Sequence, residues 1–178
     1  VSIVDNGYDS ADSTQWTNLL RAFTRGEYPY VISNVAEHFL KEGKDETFPG
    51  GKAADSHVGR MVQLLHANHT QGNPPITVIP TEMVVERNGD ELKSAIIAQA
   101  EKWGMEKGFI DHIRNTKFAN TLPDRIVSAG ETDPVVWVGT EPFADFYVEK
   151  QDGLEFPWKD GAIKIVDDLQ KPRDRKIG

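Results

Sequence analysis

Asp124 stands in FANTLPDRIVSAG, residues 118–130, after a proline and beside Arg125 in an otherwise apolar, strand-like run. Burying a carboxylate there costs on the order of several kcal/mol unless it is paired or hydrogen-bonded. Adjacent side chains on a strand point to opposite faces, so Arg125 is not its natural partner. Asp124 therefore either sits at a strand edge in water or faces an interior polar site where it orients another group. A second cluster is Ser33 and Asn34, at the end of the run YVIS, with Glu37 three residues beyond Asn34. The carboxyl ends of strands are where α/β sheets collect ligands, although Asn34 equally suits the cap of a following helix. His66 and His69 are spaced to place two imidazoles on one helical face, but no third ligand and no HExxH accompany them. Surface histidines and no metal are the expectation. Neither GxGxxG nor GxxxxGK[ST] occurs, so nucleotide chemistry would need residues beyond these 178.

The elements that must position these groups are read from periodicity. Ser13 precedes Trp16, Leu19, Leu20 and Phe23, an apolar stripe at helical spacing that Gly26 closes. Residues 30–33 read as a short buried strand, and the charged, glycine-rich KEGKDETFPGGK as a loop. Ala54, Val58, Met61 and Leu65 share a helical face between residues 53 and 68, and PPITVIP is a strand fenced by prolines. In NGDELKSAIIAQAEKWG, Asn88 and Glu91 have the spacing of a capping box; Leu92, Ile96, Gln99 and Trp103 line one face, and Gly104 ends the helix. A short helix over 109–114 follows, then FANTLPDRIV, VVWVG, DFYVE and IKIV as strands. Helices dominate early and strands late, so the fold class is α/β with a strand-rich extension.

Composition narrows the partners. The chain has 178 residues, 38% apolar and 27% charged, and a formal charge of −8 from 28 acidic and 20 basic residues. No basic cluster is present to neutralise phosphates, which argues against nucleic acid and anionic membrane. There is no cysteine, hence no disulfide framework or thiolate nucleophile. No apolar run approaches the roughly 20 residues of a membrane helix, and a cytoplasmic protein is the plain expectation. Val1 in place of methionine leaves open a processed product or a piece of a longer polypeptide.

Five blocks carry a resemblance: VISNVAE, ITVIPTEMVVERNGDELK, EKWGMEKGFIDHIRNTKFANTLPDRIV, GTEPFADFYVE and IKIVDDLQKPRDRK. Their order and spacing resemble the long-chain, metal-independent mannitol dehydrogenase family, most closely its tagaturonate reductase (altronate oxidoreductase) branch. The resemblance implies residues 1–130 as the C-terminal part of a Rossmann-type nucleotide-binding domain and residues 131–178 as a strand-rich bridge to a helical substrate domain. It implies NAD as cofactor and hydride transfer to or from a ketone or secondary alcohol of an acyclic sugar acid. By position Lys176 matches the family's general acid and base, Asp124 the aspartate of the DRI motif beside the site, and Glu37 a glutamate near the nicotinamide; Ser33 and Asn34 would touch the cofactor ribose. Met83 stands where polyol dehydrogenases place an asparagine, which favours hexuronate-derived acids. Pro123 replaces a more usual valine, and the family's substrate-binding asparagine and histidine are absent.

Three readings follow: part of a tagaturonate-type enzyme, inactive alone; part of a mannitol or fructuronate dehydrogenase; or a non-catalytic α/β binding module. The small-molecule partner is a sugar acid or polyol in the first two.

Overall fold

The computed structural model describes residues 7–41, 44, 47–82, 85–124, 127–128, 139–140, 145–156 and 163–174. The first helix, α1 (Ser13–Thr24), starts one residue earlier than its apolar stripe requires, because Asp12 is the cap: its carboxylate accepts from the amides of Thr14 and Gln15. Those amides hold the Asp12 carboxyl below its usual range. Trp16, Ala22 and Phe23 are the buried face of α1. Strand β1 (Tyr30–Ser33) leads into a 3₁₀ turn (Glu37–Phe39) and a loop. Gln63 holds that loop to the following helix, accepting from the Ala54 amide and donating to the carbonyls of Gly50 and Lys52.

Helix α2 (His57–His69) begins at Ser56, whose hydroxyl accepts from the Gly59 amide. It starts later than the apolar periodicity suggests, because residues 53 and 54 belong to the loop that Gln63 ties down. Strand β2 (Thr77–Pro80) follows, then α3 (Asn88–Lys102), α4 (Lys107–Asn115) and β3 (Lys117–Phe118). Strands β1, β2 and β3 form one parallel sheet in that order. Val31 pairs with Val78, and Val78 with Phe118. Each crossover carries helices, as a parallel sheet requires. Helix α2 packs against α1 and α3, and α3 against α4. Val58, Val62, Leu65, Val78, Leu92, Ile96, Phe109 and Ile113 are all fully buried in the shared core.

After β3 the chain changes sheets. Strand β4 (Thr121–Asp124) pairs antiparallel with β7 (Asp145–Glu149), which pairs in parallel with β8 (Ile163–Val166). The short strands β5 (Val127–Ser128) and β6 (Gly139–Thr140) form a separate antiparallel pair, and the segment 170–174 is a short helix, α5. Strand β4 lies at the edge of its sheet, the position where a proline such as Pro123 is tolerated for want of an amide to donate. Most of VVWVG lies outside the described residues.

The capping box at Asn88 is not what forms. The cap of α3 is Arg87, which is left-handed at φ 51 and has no side-chain capping bond. Asn88 is instead fully buried. Its Oδ1 accepts from the Thr121 amide, and its Nδ2 donates to the carbonyl of Glu82 and to the Thr121 hydroxyl. A long-range demand has overridden the local pattern. Arg87 compensates on the surface through its contacts with Asp90 at 2.6 Å and Glu149 at 3.3 Å.

Candidate functional site

Because β1 and β2 are parallel and in register, with Ser33 opposite Pro80, their carboxyl ends open on the same side. Thr81 ties the ends together: its amide and its hydroxyl both donate to the Ser33 carbonyl, at 2.9 and 3.0 Å. The next residue, Glu82, is buried, at 4% exposure, directly beyond the two strands. The Ser33 hydroxyl, itself buried, donates to Glu82 Oε1 at 2.9 Å, and the Val35 amide donates to the same oxygen at 3.3 Å. His57 Nε2 lies 3.0 Å from the Ser33 hydroxyl oxygen. A serine hydroxyl has one proton to give; with it directed at Glu82, His57 Nε2–H is the donor in the second contact. Burial, with a smaller push from the Arg60 guanidinium, holds the His57 imidazole below its ordinary pKa. The chain of contacts is thus neutral imidazole to hydroxyl to carboxyl.

Serine, not histidine, is the middle member. A nucleophilic triad needs the base between the nucleophile and the acid, so this arrangement is not one. It is a clamp that fixes one carboxyl oxygen. The other, Glu82 Oε2, is buried without any hydrogen-bond partner among the described residues. His57 also lines an open surface cavity of about 310 Å³ with His38, Phe39, Lys41, Lys44 and Asp55.

Around this edge the polar groups are matched. Asn88 fastens the backbone of Glu82 to Thr121, and the Thr121 hydroxyl donates to the Pro80 carbonyl. The start of β4 is therefore bonded to the end of β2, which sets the strand that carries Asp124 beside the same edge. Asn120 continues the network, donating to Glu149 Oε2 at 2.8 Å and to Asp90 Oδ2 at 3.3 Å, while its carbonyl oxygen accepts from the Asp90 amide.

The five residues singled out from sequence fare differently. Ser33 is buried in the clamp, and Asn34 is exposed just past the strand. Asn34 does not cap a helix, because the turn that follows begins at Glu37. The backbone of Glu37 opens that turn and Asp124 ends β4, opposite Asp145, but both side chains lie outside the described residues. Lys176 and Met83 lie outside them altogether. Sequence reasoning missed Glu82 and His57. Glu82 was open to the same strand-end rule that picked out Ser33; His57, 24 residues away in the chain, left no such signal.

The His66 and His69 pair is half-buried among aromatic rings and not at the surface. His66 packs edge-on against Phe48 and Phe109, with centroids 5.2 and 5.0 Å apart, and His69 faces His112 at 4.8 Å and Glu106 at 3.5 Å. Burial lowers the pKa of both His66 and His112. Among the described residues no group of three or more candidate ligands is placed to hold a metal ion, and no helix is long and apolar enough to cross a membrane.

Comparison with known proteins places the fold. The altronate oxidoreductase of Bacillus subtilis (strain 168) is 30% identical over 175 residues, covering 83% of this chain and 35% of that protein. That of Shigella flexneri is 24% identical over 185 residues, covering 92% and 38%. The chain thus spans a little over a third of the length of these relatives. Among solved structures, Pseudomonas fluorescens mannitol 2-dehydrogenase, in a ternary complex with NAD and D-mannitol, superposes over 95% of this chain and 39% of its own with a TM-score of 0.75 at 20% identity. A substrate-free D-sorbitol dehydrogenase gives a TM-score of 0.70 at 17% identity, over 90% of this chain and 38% of its own. The family model of the mannitol dehydrogenase Rossmann domain matches residues 11–159, and the chain belongs to that family.

Proposed function

We propose that this chain forms part of an NAD-dependent oxidoreductase acting on an acyclic sugar acid of the tagaturonate and altronate type. The observation that carries the reading is the parallel strand edge at Ser33 and Pro80, which presents an exposed Asn34 and a buried, half-satisfied carboxyl at the place where α/β sheets bind nucleotides. A polyhydroxylated cofactor fits that edge, since an acceptor with a spare oxygen suits a hydroxyl, which brings a donor, better than a phosphate, which brings acceptors. Asn34 is assigned to the cofactor ribose; Ser33, buried with its hydroxyl proton given to Glu82, backs this edge instead of touching the ribose as its sequence position suggests. Bound there, the nicotinamide would give a hydride to the substrate carbonyl as NADH, or take one from the alcohol carbon as NAD.

The chain's own contribution is to hold and to move protons. Lys176 is assigned the proton given to the forming alcohol, Asp124 the positioning of the groups around it, and Glu37 a relay close to the nicotinamide. Altronate oxidoreductases among the relatives support the sugar-acid substrate. The mannitol and sorbitol enzymes among the structural neighbours favour a second reading, a polyol as substrate. Following NADH absorbance as the intact polypeptide is mixed with tagaturonate, or with fructose, separates them. Oxidation with tagaturonate in clear preference to fructose is expected. Preference for fructose selects the polyol reading, and no oxidation with either rejects both.

A further inference from the structure

Glu82 supplies the half-satisfied carboxyl of this edge. Its Oε1 is fully engaged, by the Ser33 hydroxyl and the Val35 amide, and Ser33 is in turn braced by His57. Its backbone carbonyl is held by Asn88. Ser33 of β1, Val35 just beyond it, His57 of α2 and Asn88 at the start of α3 thus fix one acidic residue, whereas its second oxygen is buried with no partner among the described residues. A buried polar atom left unpaired costs about 1–3 kcal/mol, more when charged. Neighbouring polar groups on the same edge, in Asn88, Asn120 and Thr121, are matched. The unmatched atom belongs to a carboxyl group and lies just past the ligand-collecting end of the sheet.

We propose that Glu82 is a ligand-binding residue whose Oε2 accepts a hydrogen bond from a hydroxyl of the bound polyhydroxylated ligand, with Ser33, His57 and the Val35 amide as the groups that hold it in position. This rests on the oxidoreductase reading for the identity of the ligand. Used as an acceptor, Oε2 takes a donor such as a hydroxyl and discriminates against a phosphate or the substrate's own carboxylate, which bring acceptors. Two hydroxyl sources meet that chemistry, the nicotinamide ribose and the open-chain substrate. Rigid fixing of Oε1 matters for either, because a pre-oriented acceptor loses little freedom on binding.

Glu82→Gln in the intact polypeptide tests the assignment, with NADH affinity read by calorimetry and substrate by KM. Removing a buried hydrogen-bond partner costs about 1–3 kcal/mol, so one of the two constants is expected to weaken by about 10- to 100-fold. Weakened NADH binding selects the ribose hydroxyl; a raised KM with NADH binding intact selects the substrate hydroxyl. The unfolding midpoint without ligand should not fall, since amide replaces carboxyl at equal volume. Ser33→Ala, which removes one of the two donors to Oε1, should weaken the same constant by a smaller factor, and it serves as the comparison if the first variant does not fold. Unchanged NADH affinity and unchanged KM in a folded, active variant overturn the proposal and leave the oxidoreductase reading standing. A wild-type polypeptide that neither binds NADH nor turns over a sugar acid or polyol removes that reading and this proposal with it.

Discussion

Lys176→Met is expected to lower kcat of the intact polypeptide by about 100- to 10,000-fold, the range of a positioned general acid or base, while NADH binding measured by calorimetry stays within a factor of a few. Methionine keeps the length and much of the packing of the lysine stem and removes only the amine. A free lysine titrates near 10.4 and is a poor base at neutral pH; burial or nearby cations must lower it before it can serve. The limb of the pH–rate profile that belongs to this amine should therefore vanish in the variant. Turnover within a factor of about three of wild type would remove the residue from the mechanism.

Gly89→Ala carries the second large effect, on the fold. A Cβ at residue 89 would sit 2.5 Å from the Ala119 carbonyl oxygen and 2.7 Å from its carbon, both backbone atoms with no flexible side chain to give way. The first turn of α3 and the corner between β3 and β4 would have to separate. That separation breaks the contacts of the neighbouring Asn88 with Thr121 and with the Glu82 carbonyl, all of them buried. Forcing extra volume into a packed contact costs about 1–3 kcal/mol, and each lost buried hydrogen bond about 1 kcal/mol. The better helix propensity of alanine returns about 1 kcal/mol. A net loss of about 3–5 kcal/mol is expected, read as a lower urea midpoint with unchanged slope. A loss below about 1 kcal/mol would mean that the corner is not the close contact described here.

These positions show what the sequence carries and what it withholds. Helical faces were legible because their periodicity is local: Leu92, Ile96 and Gln99 are indeed buried on α3, and Val58, Met61 and Leu65 are buried on α2, although Val62, Gln63 and Leu64 are buried there too, so that α2 is covered on more than one face. The α/β class followed from the same alternation. Asn88 misled because its spacing to Glu91 satisfies a local rule, whereas Gly89 lets the backbone of another element approach and recruits the asparagine for a contact 33 residues away. Strand pairing was out of reach for the same reason: nothing local in TLPD says that it meets DFYV antiparallel. At the site, Ser33 was found through its place at a strand end, and Glu82 lies two residues past the corresponding end of β2. The approach of His57 to Ser33 depends on how α2 packs, which no spacing encodes.

The central claim is that the carboxyl end of β1 faces the nicotinamide cofactor, and thiol protection tests it most directly. The 178 residues contain no cysteine, so Asn34→Cys and Gln71→Cys each introduce one thiol readable by peptide mass. Both positions are exposed, the first just past β1 and the second in the turn before β2, at opposite ends of the sheet. In the intact polypeptide, NADH at about ten times its dissociation constant should slow alkylation at residue 34 by about tenfold and leave residue 71 unaffected. Equal alkylation rates at residue 34 with and without bound NADH would contradict the account.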